Sequence, residues 1–209
     1  MTRGRDTSVQ HFLVKSSFLE TIKSLDGQIF HISYHQQRFE AVLNSSGVKS
    51  YSHLLDYLHP PKKGLYRCRI LYTKESIEVT YHSYIKRNIN SLKLVVDDKI
   101  EYAKKYADRS DIDRLMLLKE GCDDILIVKN SLITDTSIAN IALYKNGVWY
   151  TPKQALLNGV TRERLLKEKK IVPKDIYVDE IYNYEKVALL NAMIDFDIIA
   201  HENIGEIIC

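Results

Sequence analysis

Lys104-Lys105-Tyr106-Ala107-Asp108-Arg109, then Asp123-Asp124-Ile125-Leu126-Ile127-Val128, then Ile133-Thr134-Asp135-Thr136-Ser137-Ile138-Ala139-Asn140-Ile141-Ala142-Leu143, and finally Leu157-Asn158-Gly159-Val160-Thr161-Arg162: these runs decide how the chain reads. They set a lysine beside a helical segment, two short apolar strands joined by a polar turn, and a glycine turn that opens a helix. A lysine amine, two apolar strands joined by a polar turn and the unpaired amides of a helix start are the parts of a site for an aldehyde that also carries a phosphate. Ile125 to Val128 is apolar on both faces, as a strand covered on both sides must be.

Downstream of this stretch, Lys145-Asn146-Gly147 is a tight hairpin into Val148-Trp149-Tyr150. Asn158-Gly159 leads into a helix over 162–170, Ile176-Tyr177-Val178 reads as a strand, and 184–189 reads as a helix running into Leu190-Asn191-Ala192-Met193. Upstream, the spacing of Ala107, Ile112, Leu115 and Met116 predicts a helix over 102–118 that stops at Gly121, and Leu92 to Val96 opens a new sheet. The pattern loosens around Ile85-Lys86-Arg87-Asn88-Ile89, which places a domain boundary there and divides the chain into 1–88 and 89–209.

In the first of these, residues 1–11 are a polar lead-in. Phe12-Leu13-Val14 and Phe18 to Ile22 read as a strand, with a hairpin through Ser24-Leu25-Asp26-Gly27 into Gln28 to Ile32. The spacing Tyr34, Arg38, Phe39, Val42, Leu43 is helical, and it places His35 and Arg38 on one face. Leu54 to Leu58 is a short helix closed by His59-Pro60-Pro61, and 65–72 and 77–81 alternate as paired strands.

The chain has 209 residues, 45% of them hydrophobic, enough for one large core or two small ones. Thirty basic and 27 acidic residues leave a formal charge of +3, too balanced to point to nucleic acid; Arg3, Arg5 and the Arg67/Arg69 strand face are the only hints of it. No apolar run approaches the ~20 residues of a membrane span. Cys68, Cys122 and Cys209 are an odd number without zinc-like spacing, which argues for unpaired thiols in a reducing compartment, hence the cytoplasm.

The quoted segments resemble the class IV aminotransferases, pyridoxal-phosphate enzymes of fold type IV, over about Phe18 to Phe196. Lys105-Tyr106-Ala107-Asp108-Arg109 is similar to the family's Schiff-base lysine motif, with Lys104 out of register. Thr134-Asp135 followed by Asn140 is similar to its Thr-Glu…Asn motif, with Asp for Glu, one methylene shorter. Gly159-Val160-Thr161-Arg162 resembles the phosphate-binding Gly-Ile-Thr-Arg segment, and His35-Gln36-Gln37-Arg38 the His-x-x-Arg motif whose arginine clamps the phosphate. The resemblance implies a mixed α/β (α+β) two-domain fold, with a small N-terminal α/β domain and a larger β-barrel-like α/β domain that binds the cofactor. It implies pyridoxal 5'-phosphate, held by Arg38, Lys105, Asp135, Val160, Thr161 and Asn191, with Lys105 catalytic, and a homodimer acting on a small molecule. Asn158-Gly159 and Asn191-Ala192-Met193 resemble 4-amino-4-deoxychorismate lyase in particular. The other readings are an aminotransferase of branched-chain or D-amino acids, using the same lysine and carboxylate, and a non-catalytic relative that kept the fold.

Overall fold

The structure, a computed structural model, describes residues 17–200 and 203–209. The expected lead-in and the strand at Phe12-Leu13-Val14 lie outside the described residues, as do Arg3 and Arg5. The chain forms two compact units: Met1–Tyr84 with Lys104–Arg109, and Ile85–Ala103 with Ser110–Cys209. The segment carrying Lys105 thus folds with the first unit, although the sequence boundary places it in the second domain.

In unit 1, β1 (Phe18–Leu25), β2 (Gln28–Ile29), β3 (Leu65–Tyr72) and β4 (Ile77–Ser83) form an antiparallel sheet in the order β2-β1-β3-β4. The β1–β2 turn falls at Asp26-Gly27, where both residues have positive φ. Helix α1 (Ile32–Asn44) presents Phe39, Val42 and Leu43 to a core that contains Phe18, Ile22, Cys68, Ile70 and Tyr72. Leu54–Tyr57 is a single 3-10 turn.

Unit 2 contains β5 (Leu92–Val96), β6 (Asp124–Lys129) and β7 (Leu132–Thr136) in one sheet. A second sheet, ordered β10-β9-β8-β11-β12, is made of β8 (Asn140–Lys145), β9 (Val148–Pro152), β10 (Val172–Lys174), β11 (Lys186–Asn191) and β12 (Asp195–Ala200). Its helices are α2 (Ser110–Met116) and α3 (Val160–Lys167). Leu126, Val128, Ile133, Ile141, Leu143, Val187 and Leu189 fill its main core.

Several expectations change. The helix over 102–118 shrinks to α2, because 105–107 instead pairs with the start of β1. The helix at 184–189 is strand β11, buried between β8 and β12, and β12 itself had no separate signal. At 176–178 there is one bridge, Tyr177 to Leu132, while the strand lies earlier, at β10. Cys122 and Cys209 are disulfide-bonded and Cys68 is a buried free thiol, so the expectation of three unpaired thiols fails. The cysteines therefore no longer argue for a reducing compartment. Among the described residues, no helix is long and apolar enough to cross a membrane.

Candidate active site

Alternation along β1 turns Phe18, Glu20, Ile22 and Ser24 to the buried face, so one carboxylate enters an apolar core. Two side chains one helical turn apart on α1 meet it. Arg38 donates from Nε to Glu20 Oε1 at 2.7 Å and from Nη2 to Oε2 at 2.6 Å, and His35 Nδ1 lies 2.6 Å from Oε2. Burial alone would raise the Glu20 pKa. The Arg38 charge and the hydrogen bonds from His35 and Arg38 outweigh it and hold the carboxyl at about 2. The His35 imidazole pKa is also lowered, first by burial, which exceeds the opposing pull of Glu20, and further by the charges of Arg38 and Lys105. A neutral His35 facing an ionised carboxylate carries its proton on Nδ1. Its Nε2 is then a bare acceptor, buried and without a partner among the described residues.

Lys105 reaches this cluster through the backbone. Leu19 N–H donates to Lys105 O at 2.8 Å, Ala107 N–H donates to Ser17 O at 2.9 Å, and Tyr106 bridges Phe18, so the segment lies antiparallel on β1 immediately before Glu20. The two neighbouring lysines are thereby separated. Lys104 Nζ donates to Ser45 Oγ at 2.7 Å at the end of α1 and lies over the Phe18 ring, whereas Lys105 is half-buried and its charge is felt at His35.

In unit 2, β7 and β8 are joined by a tight turn that Thr136 closes, its N–H donating to Ala139 O at 2.9 Å and its hydroxyl accepting from Ala139 N–H at 3.1 Å. That turn brings Asp135 and Asn140 together, and Asn140 Nδ2 donates to Asp135 Oδ1 at 2.9 Å. Asp135 Oδ2 accepts from Leu157 N–H at 2.9 Å. Asp135 is buried, and burial raises its pKa to about 6 against the opposing hydrogen bonds from Leu157 and Asn140 and the charge of Arg162. A carboxyl with that proton affinity is still mostly ionised at pH 7 and can pair with a protonated nitrogen placed opposite it.

Two residues beyond Leu157, Gly159 caps α3, whose first backbone bond runs from Glu163 N–H to Gly159 O at 2.9 Å. The preceding amides, Val160 and Thr161, have no acceptor within the helix and point out of its positive end. Arg162 is turned inward, with Nη2 donating to Pro152 O at 2.7 Å and Nε to Thr151 Oγ1 at 3.3 Å. A cavity of about 190 Å3 opens in the same unit, lined by Tyr102, Lys129, Asn130, Thr134, Gln154 and Leu156 among others. Its lining includes Thr134 and Leu156, and Asp135, the next residue on β7, turns its side chain to the other face of that strand.

The structure groups Arg38 with Lys105 in unit 1, and Asp135 with the Val160 and Thr161 amides in unit 2. Asn191 is occupied by the β11–β12 turn: Oδ1 accepts from Met193 N–H at 2.9 Å and Ile194 N–H at 3.1 Å, and Nδ2 donates to Ile138 O at 3.3 Å. Sequence reasoning missed Glu20, whose signal was an acid in phase with Phe18 and Ile22 on an alternating strand. Taken separately, unit 1 offers a half-buried amine and a guanidinium, and unit 2 a buried acid of raised pKa and helix-start amides, donor types that suit a phosphorylated pyridine aldehyde.

The sequence profile of amino-transferase class IV matches residues 106–199. An uncharacterized protein of Haemophilus influenzae is 37% identical over 180 residues, which are 83% of this chain and 96% of that protein. A crystal structure of a "putative 4-amino-4-deoxychorismate lyase" from Haemophilus somnus is 34% identical with a TM-score of 0.79, covering 86% of this chain and 97% of that one. A "hypothetical aminotransferase" of Mycobacterium tuberculosis in its PLP-bound form has a TM-score of 0.73 over 90% of this chain and 81% of its own, and its 11% identity speaks to the fold alone.

Proposed function

The chain belongs to the class IV aminotransferase family, and we propose on that premise that it is a pyridoxal-phosphate-dependent lyase. Its reaction is the conversion of 4-amino-4-deoxychorismate to 4-aminobenzoate and pyruvate, a step of folate biosynthesis. The observation that carries the choice of lyase is the 34% identity, over nearly the whole of that protein, to the Haemophilus somnus protein bearing that name. Asn158-Gly159 and Asn191-Ala192-Met193 support it.

Bound pyridoxal phosphate supplies an electron-accepting ring that stabilises the pair left when a carbon beside the amine loses its proton. Lys105 Nζ would hold the aldehyde and, with the substrate's amine in place, would be the base that takes the proton from the carbon bearing that amine. Loss of that proton and departure of the enolpyruvyl oxygen, which ends as pyruvate, leave an aromatic ring, and aromatisation drives the step. Asp135 keeps a proton on the ring nitrogen. The Val160 and Thr161 amides and Arg38 bind the phosphate, with Glu20 holding the guanidinium plane. We propose Asn191 as a contact made through the turn it caps, and a cytoplasmic homodimer as the working form.

The test is to add pyridoxal phosphate to the purified protein, reduce with borohydride and map the modified lysine, then supply 4-amino-4-deoxychorismate and measure pyruvate. Label on Lys105 and pyruvate formed without any keto-acid acceptor are the expected results. Label with activity only when a keto acid is present would make the chain an aminotransferase. No label and an unchanged Lys105→Ala variant would leave a non-catalytic relative.

A further inference from the structure

The chemistry above assigns no part to Asn140, although it is 5% exposed and its amide lies at the crossing of three backbone elements. Nδ2 donates to Asp135 Oδ1 at 2.9 Å and to Leu157 O at 2.8 Å. Asp135 Oδ2 in turn accepts from Leu157 N–H at 2.9 Å. The N–H and C=O of Leu157 are therefore gripped by two side chains that also grip each other. On its other side, Asn140 Oδ1 would sit 2.0 Å from a Cβ placed on Gly159. Gly159 has φ −70° and ψ 139°, a conformation open to any L-residue, so the contact with Asn140 and not the backbone demands glycine there.

These contacts tie a carboxylate on β7 to residues 157–159, and the next residue begins α3. We propose that Asn140 is a positioning residue: it fixes the separation and orientation between the Asp135 carboxylate and the first amides of α3, so that one rigid ligand with a ring nitrogen at one end and a phosphate at the other meets both at once. The inference rests on the pyridoxal-phosphate reading and deepens it. Asparagine suits the task because one planar amide offers two N–H donors splayed toward two acceptors. Aspartate would set an acceptor against both, and serine has a single donor. A tether of this kind governs affinity through pre-organisation, since a ligand that does not bend gains nothing from ends that drift apart.

The experiment is a double-mutant cycle on the full chain with Asn140→Ala, Gly159→Ala and the pair, read first without ligand by thermal unfolding of the lone tryptophan, Trp149. Gly159→Ala alone is expected to lower the midpoint by roughly 5 °C. In the Asn140→Ala background it should cost less than about 1 °C, because the obstructing oxygen is gone. The second readout is the carboxyl carbon titration of Asp135 by NMR, which should move above its wild-type midpoint in Asn140→Ala, since a donor to the charged form is lost. The third is the dissociation constant for pyridoxal phosphate, expected to rise about tenfold. If Asn140→Ala does not fold, Asn140→Ser, which removes the same obstruction, replaces it in every arm.

Additive midpoint losses, or an Asp135 titration that does not move, would overturn the proposal. So would coupled losses together with unchanged pyridoxal-phosphate affinity, which would make Asn140 a packing residue. If the wild-type protein itself binds no pyridoxal phosphate, the cofactor reading has failed, and the ligand-free cycle and titration still report separately whether the clamp exists.

Discussion

Replacing Glu20 by glutamine preserves the size of the side chain and removes its charge. The carboxyl pKa of about 2, against 4.5 for an unperturbed glutamate, corresponds to about 3 kcal/mol of stability in unit 1. Because the folded value is depressed, that contribution is complete above pH ~4.5 and drains away as pH falls toward ~2. Glutamine leaves one carbonyl oxygen for His35 Nδ1 and both Arg38 donors, and breaking a buried pair of this kind typically costs about 3–5 kcal/mol. Glu20→Gln should therefore lower the opening free energy of β1 and β3 amides by about 3 kcal/mol at pH 7, and the gap from wild type should narrow by about half near pH 3. Hydrogen exchange resolved by residue is the suitable assay, since Trp149, the only tryptophan, lies in unit 2 and does not report on unit 1. Equal protection at pH 7, or a gap that stays constant with pH, would refute the account of Glu20 as an ionised anchor.

Asp135 has the opposite sign: its folded pKa lies above the usual 3.8, so the folded state binds the proton more tightly, and unit 2 should gain about 1 kcal/mol on going from pH 7 to pH 5. Urea unfolding followed by Trp149 measures this, and the gain should disappear in Asp135→Asn. Denatured but unreduced protein should expose one reactive thiol out of three cysteines; in the native state that thiol, Cys68, should resist alkylation because burial pushes it up to about 11. Three reactive thiols in the denatured protein would dismiss the Cys122–Cys209 bond. Ile141→Ala, at a fully buried position on β8, should cost about 2–5 kcal/mol in the same urea assay, and a loss below ~0.5 kcal/mol would contradict its place in the core.

Much of this fold is legible in the sequence where periodicity and turn chemistry agree. The β1–β2 hairpin, α1, and the β3–β4 and β8–β9 pairs announce themselves through alternation, helical spacing, and the Asp26-Gly27 and Asn146-Gly147 turns. Val187-Ala188-Leu189-Leu190 is different: a short apolar run preceded by Tyr184 fits a helix face as well as a strand covered on both sides, and only its neighbours β8 and β12 decide. At 102–118 the spacing of Ala107, Ile112 and Leu115 imitates a helix, while the backbone of 105–107 finds acceptors and donors on β1, far away in sequence. The same limit applies to the candidate site. Motif residues such as Lys105, Asp135 and Thr161 can be picked out one by one, but the Glu20 anchor and the Leu157–Asn140–Asp135 clamp depend on which strand faces which loop.

The lysine-bearing segment has a further consequence for how this molecule can be cut and rejoined. Residues 104–109 complete the sheet edge of unit 1, yet the chain reaches them only after building part of unit 2, and then returns to finish it. Neither unit is a single contiguous stretch of chain: unit 1 takes in 104–109 across the 85–103 segment of unit 2, and unit 2 is interrupted by 104–109. A fragment ending at Tyr84 would leave Ser17 O and Leu19 N–H without their partners, and one beginning at Ile85 would carry Lys105 on a stretch with no strand to lie against. Any recombination, circular permutation or split-protein reassembly of this chain must therefore move the 104–109 segment together with β1 or lose the placement of Lys105.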